Sequence, residues 1–277
     1  MSIKTVLLAL VAGDGARPEG AINYAISLAA EQKAHLSVIV GAIKVPVVVY
    51  SGVAEVQAIV TDDNDFRGRG ADELADSIGK AAEMNGVAAA VEVMSDAIDP
   101  LFSRIGKRAR LHDLAICGRP RAADIWSTEL AETLLLSSGR PVIVVPDGFE
   151  ADKASDTVIV AWDGSAVAAR AVGGAIGFID RAGQVEIVSV LGDRHAEDRI
   201  AGAALAPMLA HHGVKVTVTD LPYTRGTGKA IADHAANARA RMVVMGGYAH
   251  SRLRQMVLGG TTTTMLQYAS VPVLMSH

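Results

Sequence analysis

The segment KTVLLAL, residues 4–10, returns near the middle of the chain as DTVIVAW, residues 156–162. Both segments are short and almost continuously apolar, which is typical of strands buried on both faces. Each is followed by a turn and an Ala-rich segment in which apolar residues recur at helical spacing. These faces are Ile22, Ala25, Ile26 and Ala29 in the first copy and Val172, Ala175, Ile176 and Ile179 in the second. The chain therefore contains two copies of one strand–helix unit.

Further pairs of segments extend this repeat along the chain. LAICG at 114–118 corresponds to MVVMG at 242–246, and PVIVV at 141–145 corresponds to PVLM at 272–275. Strands that alternate with helices predict βαβ units and a parallel sheet. We therefore expect an α/β protein of two tandem Rossmann-like units, each a mostly parallel sheet flanked by helices. The units are expected at residues 1–148 and 155–277, joined by the polar linker Asp147 to Ser155.

Composition excludes several classes of protein. The 277 residues carry a net charge of −4 and no basic run, which argues against a nucleic-acid partner. The apolar stretch from Val6 to Ala12 is too short to span a membrane and lacks the flanks of a signal peptide. The single cysteine, Cys117, rules out an internal disulfide framework and suits a reducing compartment. We expect a cytoplasmic protein without a membrane partner.

A glycine-bounded loop in the last part of the chain carries the strongest functional signal. Gly246 and Gly247 follow an apolar strand, and Gly259 and Gly260 open a Thr-rich helix start. Such glycines let backbone N–H groups face an anion, and the helix start adds the positive end of a dipole. This pattern predicts a phosphate site. His250, Arg252, Thr261 and Thr262 are further candidate contacts, although the first two equally suit a solvated loop and the threonines a first helical turn.

The spacing of these glycines resembles the nucleotide-binding loop of the universal stress protein family. That loop reads Gly, two residues, Gly, nine residues, Gly, then Ser or Thr. Counted from Gly246, the second family glycine falls on Ala249, Gly259 is in place, and the Ser/Thr position holds Gly260. A β-carbon at 249 costs roughly 1 kcal/mol if that position needs a positive φ. The resemblance implies bound ATP, or ADP or AMP, with Mg²⁺ held only through the nucleotide.

The same resemblance assigns two further residues and a mode of assembly. Asp163, with Gly164, corresponds to the aspartate that hydrogen-bonds the adenine, and Val190 lies where the second strand meets the base. From its residue type alone, Asp163 also suits a helix N-cap or a turn. Family units pair edge to edge through their last strands, so a tandem chain would form an intramolecular pseudo-dimer.

The first half lacks most of these features. Alignment of the strands puts Val11 where Asp163 sits, with Asp14 three residues downstream, and the loop after Cys117 has no second glycine pair. We expect a degenerate nucleotide loop that serves structure or partner binding. Residues 45–70 have no counterpart in the second half. They suit a lid, a dimerisation element or a loosely packed insertion, and the last is the preferred interpretation.

No catalytic or metal-binding constellation is evident from the sequence. GTGK at 226–229 fails as a P-loop because Tyr223 stands at its first glycine, and the adjacent His211 and His212 make a poor metal pair. The resemblance therefore implies a stress-response regulatory protein that binds an adenine nucleotide and acts on a protein partner or through self-association. The alternatives are a nucleotide-free interaction module and a slow ATPase or small-molecule hydrolase.

Overall fold

The described residues form ten strands and eight α-helices, which alternate along each half. The computed structural model describes residues 3–13, 17–46, 54–121, 124–192, 201–223, 226–248 and 260–277. The first half comprises β1 (Thr5–Ala12), α1 (Glu19–Gln32), β2 (His35–Ile43), α2 (Ala54–Met84), β3 (Ala89–Asp96), α3 (Ile98–Ala109), β4 (Leu114–Gly118), α4 (Ile125–Ser137) and β5 (Val142–Val145). The second comprises β6 (Thr157–Ala161), α5 (Ala166–Ile179), β7 (Gln184–Leu191), α6 (Gly202–Ala210), β8 (Val216–Pro222), α7 (Thr227–Asn237), β9 (Met242–Gly246), α8 (Gly260–Tyr268) and β10 (Val273–Ser276).

All ten strands join one sheet in the order β3-β2-β1-β4-β5-β10-β9-β6-β7-β8. Every pairing within a half is parallel, and the single antiparallel pairing joins β5 to β10. The two halves therefore meet edge to edge through their last strands. The predicted tandem α/β fold is confirmed, and the two predicted sheets are continuous across this junction.

Helices cover both faces of the sheet because the strands alternate their side chains between two layers. Leu8 and Leu10 pack toward α1, α2, α5 and α6, whereas Leu7 and Ala9 pack toward α3, α4, α7 and α8. Each layer contains residues from both halves. The two halves consequently share their hydrophobic cores as well as their sheet.

The segment predicted as a loosely packed insertion is helical over most of its described length. Residues 54–70 form the first half of α2, a helix of 31 residues. Asn64 fixes this part of α2 to the end of β2, since its Oδ1 accepts the Val45 N–H at 2.8 Å and its Nδ2 donates to the Val45 carbonyl at 3.0 Å. The segment thus has a regular helical backbone fixed through Asn64, while the side chains described over 57–70 are exposed or half-buried. Among the described helices, none is long and apolar enough to cross a membrane.

Candidate ligand-binding site

Each half of the sheet has one point where the strand order reverses. In the second half, β6 lies between β7 and β9, and in the first half β1 lies between β2 and β4. Ligands of open α/β sheets bind at the carboxyl ends of the strands flanking such a point. The crevice between β6 and β9 is here called the C-terminal crevice, and that between β1 and β4 the N-terminal crevice.

Asp163 lies at the edge of the C-terminal crevice, two residues beyond the end of β6. Its Oδ1 accepts the N–H of Ser165 at 2.9 Å, and Gly164 between them has φ +76°. Ser165 is the N-cap of α5 and accepts the Ala168 N–H at 3.2 Å. Asp163 thus orders the turn that leads into the capped helix, and its side chain is exposed.

The first glycine pair lies at the end of β9 and is closely packed. A β-carbon at Gly246 would lie 2.8 Å from the backbone nitrogen of Ala168, so this glycine permits β9 to approach α5. The N–H of Gly247 donates to the Ser276 carbonyl at 2.9 Å and extends the ladder with β10. Packing therefore requires glycine at 246 independently of any ligand, whereas the N–H of residue 247 is engaged by the sheet.

A hydrogen bond closes the base of the predicted glycine loop. The N–H of Tyr248 donates to the side-chain oxygen of Thr262 at 3.2 Å, and Thr262 is 4% exposed. Tyr248 has φ +51°, a left-handed conformation that is costly for a bulky residue. Ala249, His250, Arg252 and Gly259, all predicted contacts, lie outside the described residues. The loop therefore leaves and rejoins the fold at the carboxyl end of β9.

The remaining predicted contacts differ in their surroundings. Gly260 is the exposed first residue of α8, with open space where a β-carbon would point. Thr261 is half-buried. A β-carbon at Gly228 would lie 2.9 Å from the Thr261 carbonyl oxygen, so the glycine allows α7 to approach α8 closely. Val190, near the end of β7, is 4% exposed and packs in the core on the α7 side of the sheet.

The N-terminal crevice contains a cavity of about 210 Å³. Its floor includes Leu10 to Gly13 from the end of β1 and Gly118 from the end of β4. One wall comes from α2 and the other from the start of α4. The cavity thus occupies the position at which the fold binds ligands, in the half where the sequence predicts a degenerate loop.

Four arginines line this cavity: Arg17, Arg67, Arg119 and Arg121. Arg121 makes a bidentate pair with Asp147, from Nε to Oδ2 at 3.1 Å and from Nη2 to Oδ1 at 2.8 Å. This bonding raises the pKa of Arg121 above its ordinary value, and the side chain holds the loop after β4 against the segment after β5. Two carboxylates also line the cavity, those of Glu73 and Asp124.

Tyr248 connects the base of the glycine loop to the other half. Its hydroxyl lies 3.3 Å from Oε1 of Glu132 on α4, and burial raises the pKa of both groups. Leu135 on the same helix also lies 3.6 Å from the position of a β-carbon at Gly247. Helix α4 of the first half therefore packs against the start of the glycine loop in the second half.

Other residues considered from the sequence have structural surroundings. Lys229 pairs with Asp233 one turn later on α7, and His212 lies 2.9 Å from Asp180. Cys117 is buried in β4, and burial raises its pKa to about 12. Within the described ranges, no group of three or more His, Cys, Asp or Glu side chains is arranged to hold a metal ion.

The sheet order and the two crevices define a tandem, doubly wound α/β protein. Residues 155–277 match the sequence model of the universal stress protein family. No curated protein matches the chain. The second half therefore belongs to the universal stress protein family, and the first half precedes it as a unit of the same fold.

Solved structures agree with this fold over nearly the whole chain. A universal stress protein from Archaeoglobus fulgidus DSM 4304 is 21% identical with a TM-score of 0.72, covering 97% of this chain and 95% of its own. A putative universal stress protein from Pseudomonas aeruginosa UCBPP-PA14 is 16% identical with a TM-score of 0.58, covering 99% and 93%. A functionally unknown protein from P. aeruginosa PAO1 is 14% identical with a TM-score of 0.59, covering 99% and 92%.

Sequence reasoning missed the arginine-lined cavity and the role of Tyr248. The arginines come from three separate segments, so no local motif joins them. One signal was available, because GRPR at 118–121 places two cations directly after a buried strand at a ligand-binding edge. The role of Tyr248 could not be predicted, because residue type does not reveal that a tyrosine adopts a left-handed backbone conformation.

Proposed function

We propose that the chain binds an adenine nucleotide, ATP or its products ADP or AMP, in the C-terminal crevice and thereby regulates association with a protein partner or a second copy during stress. The observation that carries this proposal is the Tyr248–Thr262 hydrogen bond. It brings both ends of a glycine-rich segment to the carboxyl end of β9. Ala161 of β6 pairs with Met245 of β9, so Asp163 and Gly247 follow neighbouring strands at this edge.

The exposed residues at this edge suit the two parts of a nucleotide. One oxygen of Asp163 orders the turn to Ser165, and the exposed carboxylate can accept a further hydrogen bond from an exocyclic amine. Gly260 begins α8 with open space beside it, so phosphate oxygens can approach the helix N-terminus. The N–H of Gly247 is engaged with Ser276 and is not used in this proposal.

The second candidate is a nucleotide-free interaction module of the same fold. It is favoured by the packing of Gly246 against α5 and by the engagement of the Gly247 N–H with Ser276, neither of which involves a ligand. In that case the shared sheet and the Tyr248–Glu132 contact would serve the pseudo-dimer alone.

Calorimetric titration of the full chain with Mg-ATP, ADP and AMP tests the proposal. We expect saturable binding that Asp163→Ala weakens about tenfold, since a hydrogen bond to a charged group contributes about 1.5 kcal/mol or more. Asp163→Asn retains the acceptor of the turn and should weaken binding less. Asp220→Ala removes an exposed carboxylate near the end of β8, outside the crevice, and is the matched control. Equal affinities in wild type and Asp163→Ala would contradict this site, and absence of binding would favour the second candidate.

A further inference from the structure

The N-terminal crevice combines a cavity with an excess of cationic side chains. Four guanidinium groups face two carboxylates among the lining residues. The carboxylates that pair with three of these arginines, on Glu19, Asp63 and Asp147, lie outside the lining. Among the lining side chains alone, guanidinium groups outnumber carboxylates by two, and Arg119 has no carboxylate partner among the described residues.

One of the two lining carboxylates is engaged by its own helix. Asp124 is the N-cap of α4, and its Oδ1 accepts the N–H groups of Trp126 at 3.0 Å and Ser127 at 3.3 Å. The helix start is thus capped from within, and its amides are unavailable to a phosphate. An anion in this cavity would have to be held by guanidinium groups.

Arg67 and Arg119 retain donors for such an anion. In the described part of the chain, Arg67 donates from Nε to Oδ2 of Asp63 at 2.8 Å, which leaves its two terminal nitrogens. Arg119 makes one long contact, from Nη1 to the Ala269 carbonyl at 3.4 Å. Arg17 is held beside them by Glu19 and by Ser77 of α2, at 2.9 and 2.7 Å. A planar guanidinium is the side chain best suited to bidentate binding of phosphate.

The cavity also has an apolar part. Leu10, Leu74 and Leu130 line it and are almost fully buried, while Phe66 on α2 lies at its rim and is 60% exposed. Val11 stands where the second half has Asp163, so the floor lacks the carboxylate proposed to recognise adenine. A ligand with an anionic group and an apolar or neutral body matches these walls.

We propose that the N-terminal crevice is a second ligand site, which binds a small organic phosphate through Arg67, Arg119 and Arg17. Its chemistry differs from that of the glycine loop, because charged side chains from α2 and from the loop after β4 replace backbone N–H groups. The helical segment 54–70, absent from the second half, supplies Phe66 and Arg67 and so forms one wall of the site. The two halves would then respond to different ligands.

The two tryptophans allow the sites to be tested separately. Trp126 lies in the first turn of α4 beside the lining residue Ser127, and Trp162 directly precedes Asp163. In full-length Trp162→Phe, Trp126 is the sole tryptophan. Its emission should change saturably with glucose 6-phosphate, and calorimetry on the same protein should give one site with that ligand. Glucose, which lacks the phosphate, should have no effect.

Charge variants decide whether the arginines hold the ligand. Arg67→Gln should raise the Kd at least tenfold, and Arg17→Gln should raise it by a smaller factor. Arg69→Gln makes the same change on the same helix at an exposed position outside the lining, and should leave the Kd within twofold. The proposal is overturned if glucose 6-phosphate produces neither heat nor an emission change. It is also overturned if Arg67→Gln and Arg69→Gln behave alike, or if glucose binds as well as glucose 6-phosphate. Asp163→Ala, which tests the C-terminal crevice, should leave the Trp126 response unchanged.

Discussion

Ile143 and Leu274 lie directly opposite each other where the two halves of the sheet meet, and they occupy equivalent positions in the repeat. On either side of them, Val142 faces Met275 and Val144 faces Val273. This register is what an approximate two-fold axis between Ile143 and Leu274 requires. The junction therefore has the geometry of a symmetric dimer interface formed within one chain.

Truncation at this junction should destabilise the whole chain. Leu274 is fully buried, and we expect Leu274→Ala to lower the free energy of unfolding by about 2–5 kcal/mol. Ile143→Ala should cost a similar amount, because the two positions are equivalent. Urea unfolding monitored by circular dichroism measures both. Leu191→Ala, at a half-exposed site, should cost less than about 0.5 kcal/mol. A loss below 1 kcal/mol for Leu274→Ala would show that the junction contributes little.

Two adjacent glycines of α5 should respond in opposite ways to the same substitution. A β-carbon at Gly174 would lie 2.5 Å from Cγ of Pro141 in the other half, whereas Gly173 has open space. Gly174→Ala should therefore destabilise the protein by about 1–3 kcal/mol. Gly173→Ala should stabilise it by about 0.5–1 kcal/mol through helix propensity. Thermal and urea unfolding measure both, and similar effects of the two changes would contradict the observed contact between α5 and Pro141.

The Glu132–Tyr248 contact should contribute to the pH dependence of stability. Burial raises the pKa of Glu132 above its ordinary value of 4.5, although the hydrogen bond from Tyr248 lowers it in part. Because the pKa of Glu132 is higher in the folded state than in the unfolded state, its contribution to the free energy of unfolding is fully present below the unfolded-state pKa. This contribution is lost as pH rises through the folded-state pKa.

The direction of this pH dependence is tested by measuring the free energies of unfolding of wild type and Glu132→Gln between about pH 4 and pH 8. The variant should lose less stability than wild type as pH rises above 4.5, the ordinary pKa. Tyr248→Phe removes the bond that lowers the pKa, so the loss of stability should extend to higher pH. Glu83→Gln makes the same substitution at an exposed position near the end of α2 and is the matched control. Parallel profiles for wild type and Glu132→Gln would refute the assignment.

The fold was predictable from the sequence because its signals are local and repeated. KTVLLAL and DTVIVAW form β1 and β6, and the predicted helical faces beginning at Ile22 and Val172 are buried against the sheet. The first half of α2 was not predictable in this way. It contains Gly68 and Gly70, each costing about 1 kcal/mol in a helix, and its order depends on contacts such as that between Asn64 and Val45.

The candidate sites depend more strongly on tertiary contacts. The turn role of Asp163 followed from its residue type, and the structure agrees through its bond to Ser165. The buried position of Thr262 was not predictable from the sequence, because its hydroxyl is engaged by the backbone N–H of Tyr248, which lies 14 residues earlier. The arginine-lined cavity likewise requires α2 and the loop after β4 to converge on one strand end.

The central claim is that an adenine nucleotide binds in the C-terminal crevice. Full-length Trp126→Phe retains Trp162, which is buried at the end of β6 directly before Asp163, as its sole tryptophan. The decisive experiment is titration with Mg-ATP while Trp162 emission is recorded. We expect a saturable change that is weakened about tenfold by the additional change Asp163→Ala and is unaffected by Arg67→Gln. Emission that stays constant while calorimetry detects bound ATP, or a response that Asp163→Ala leaves intact, would contradict it.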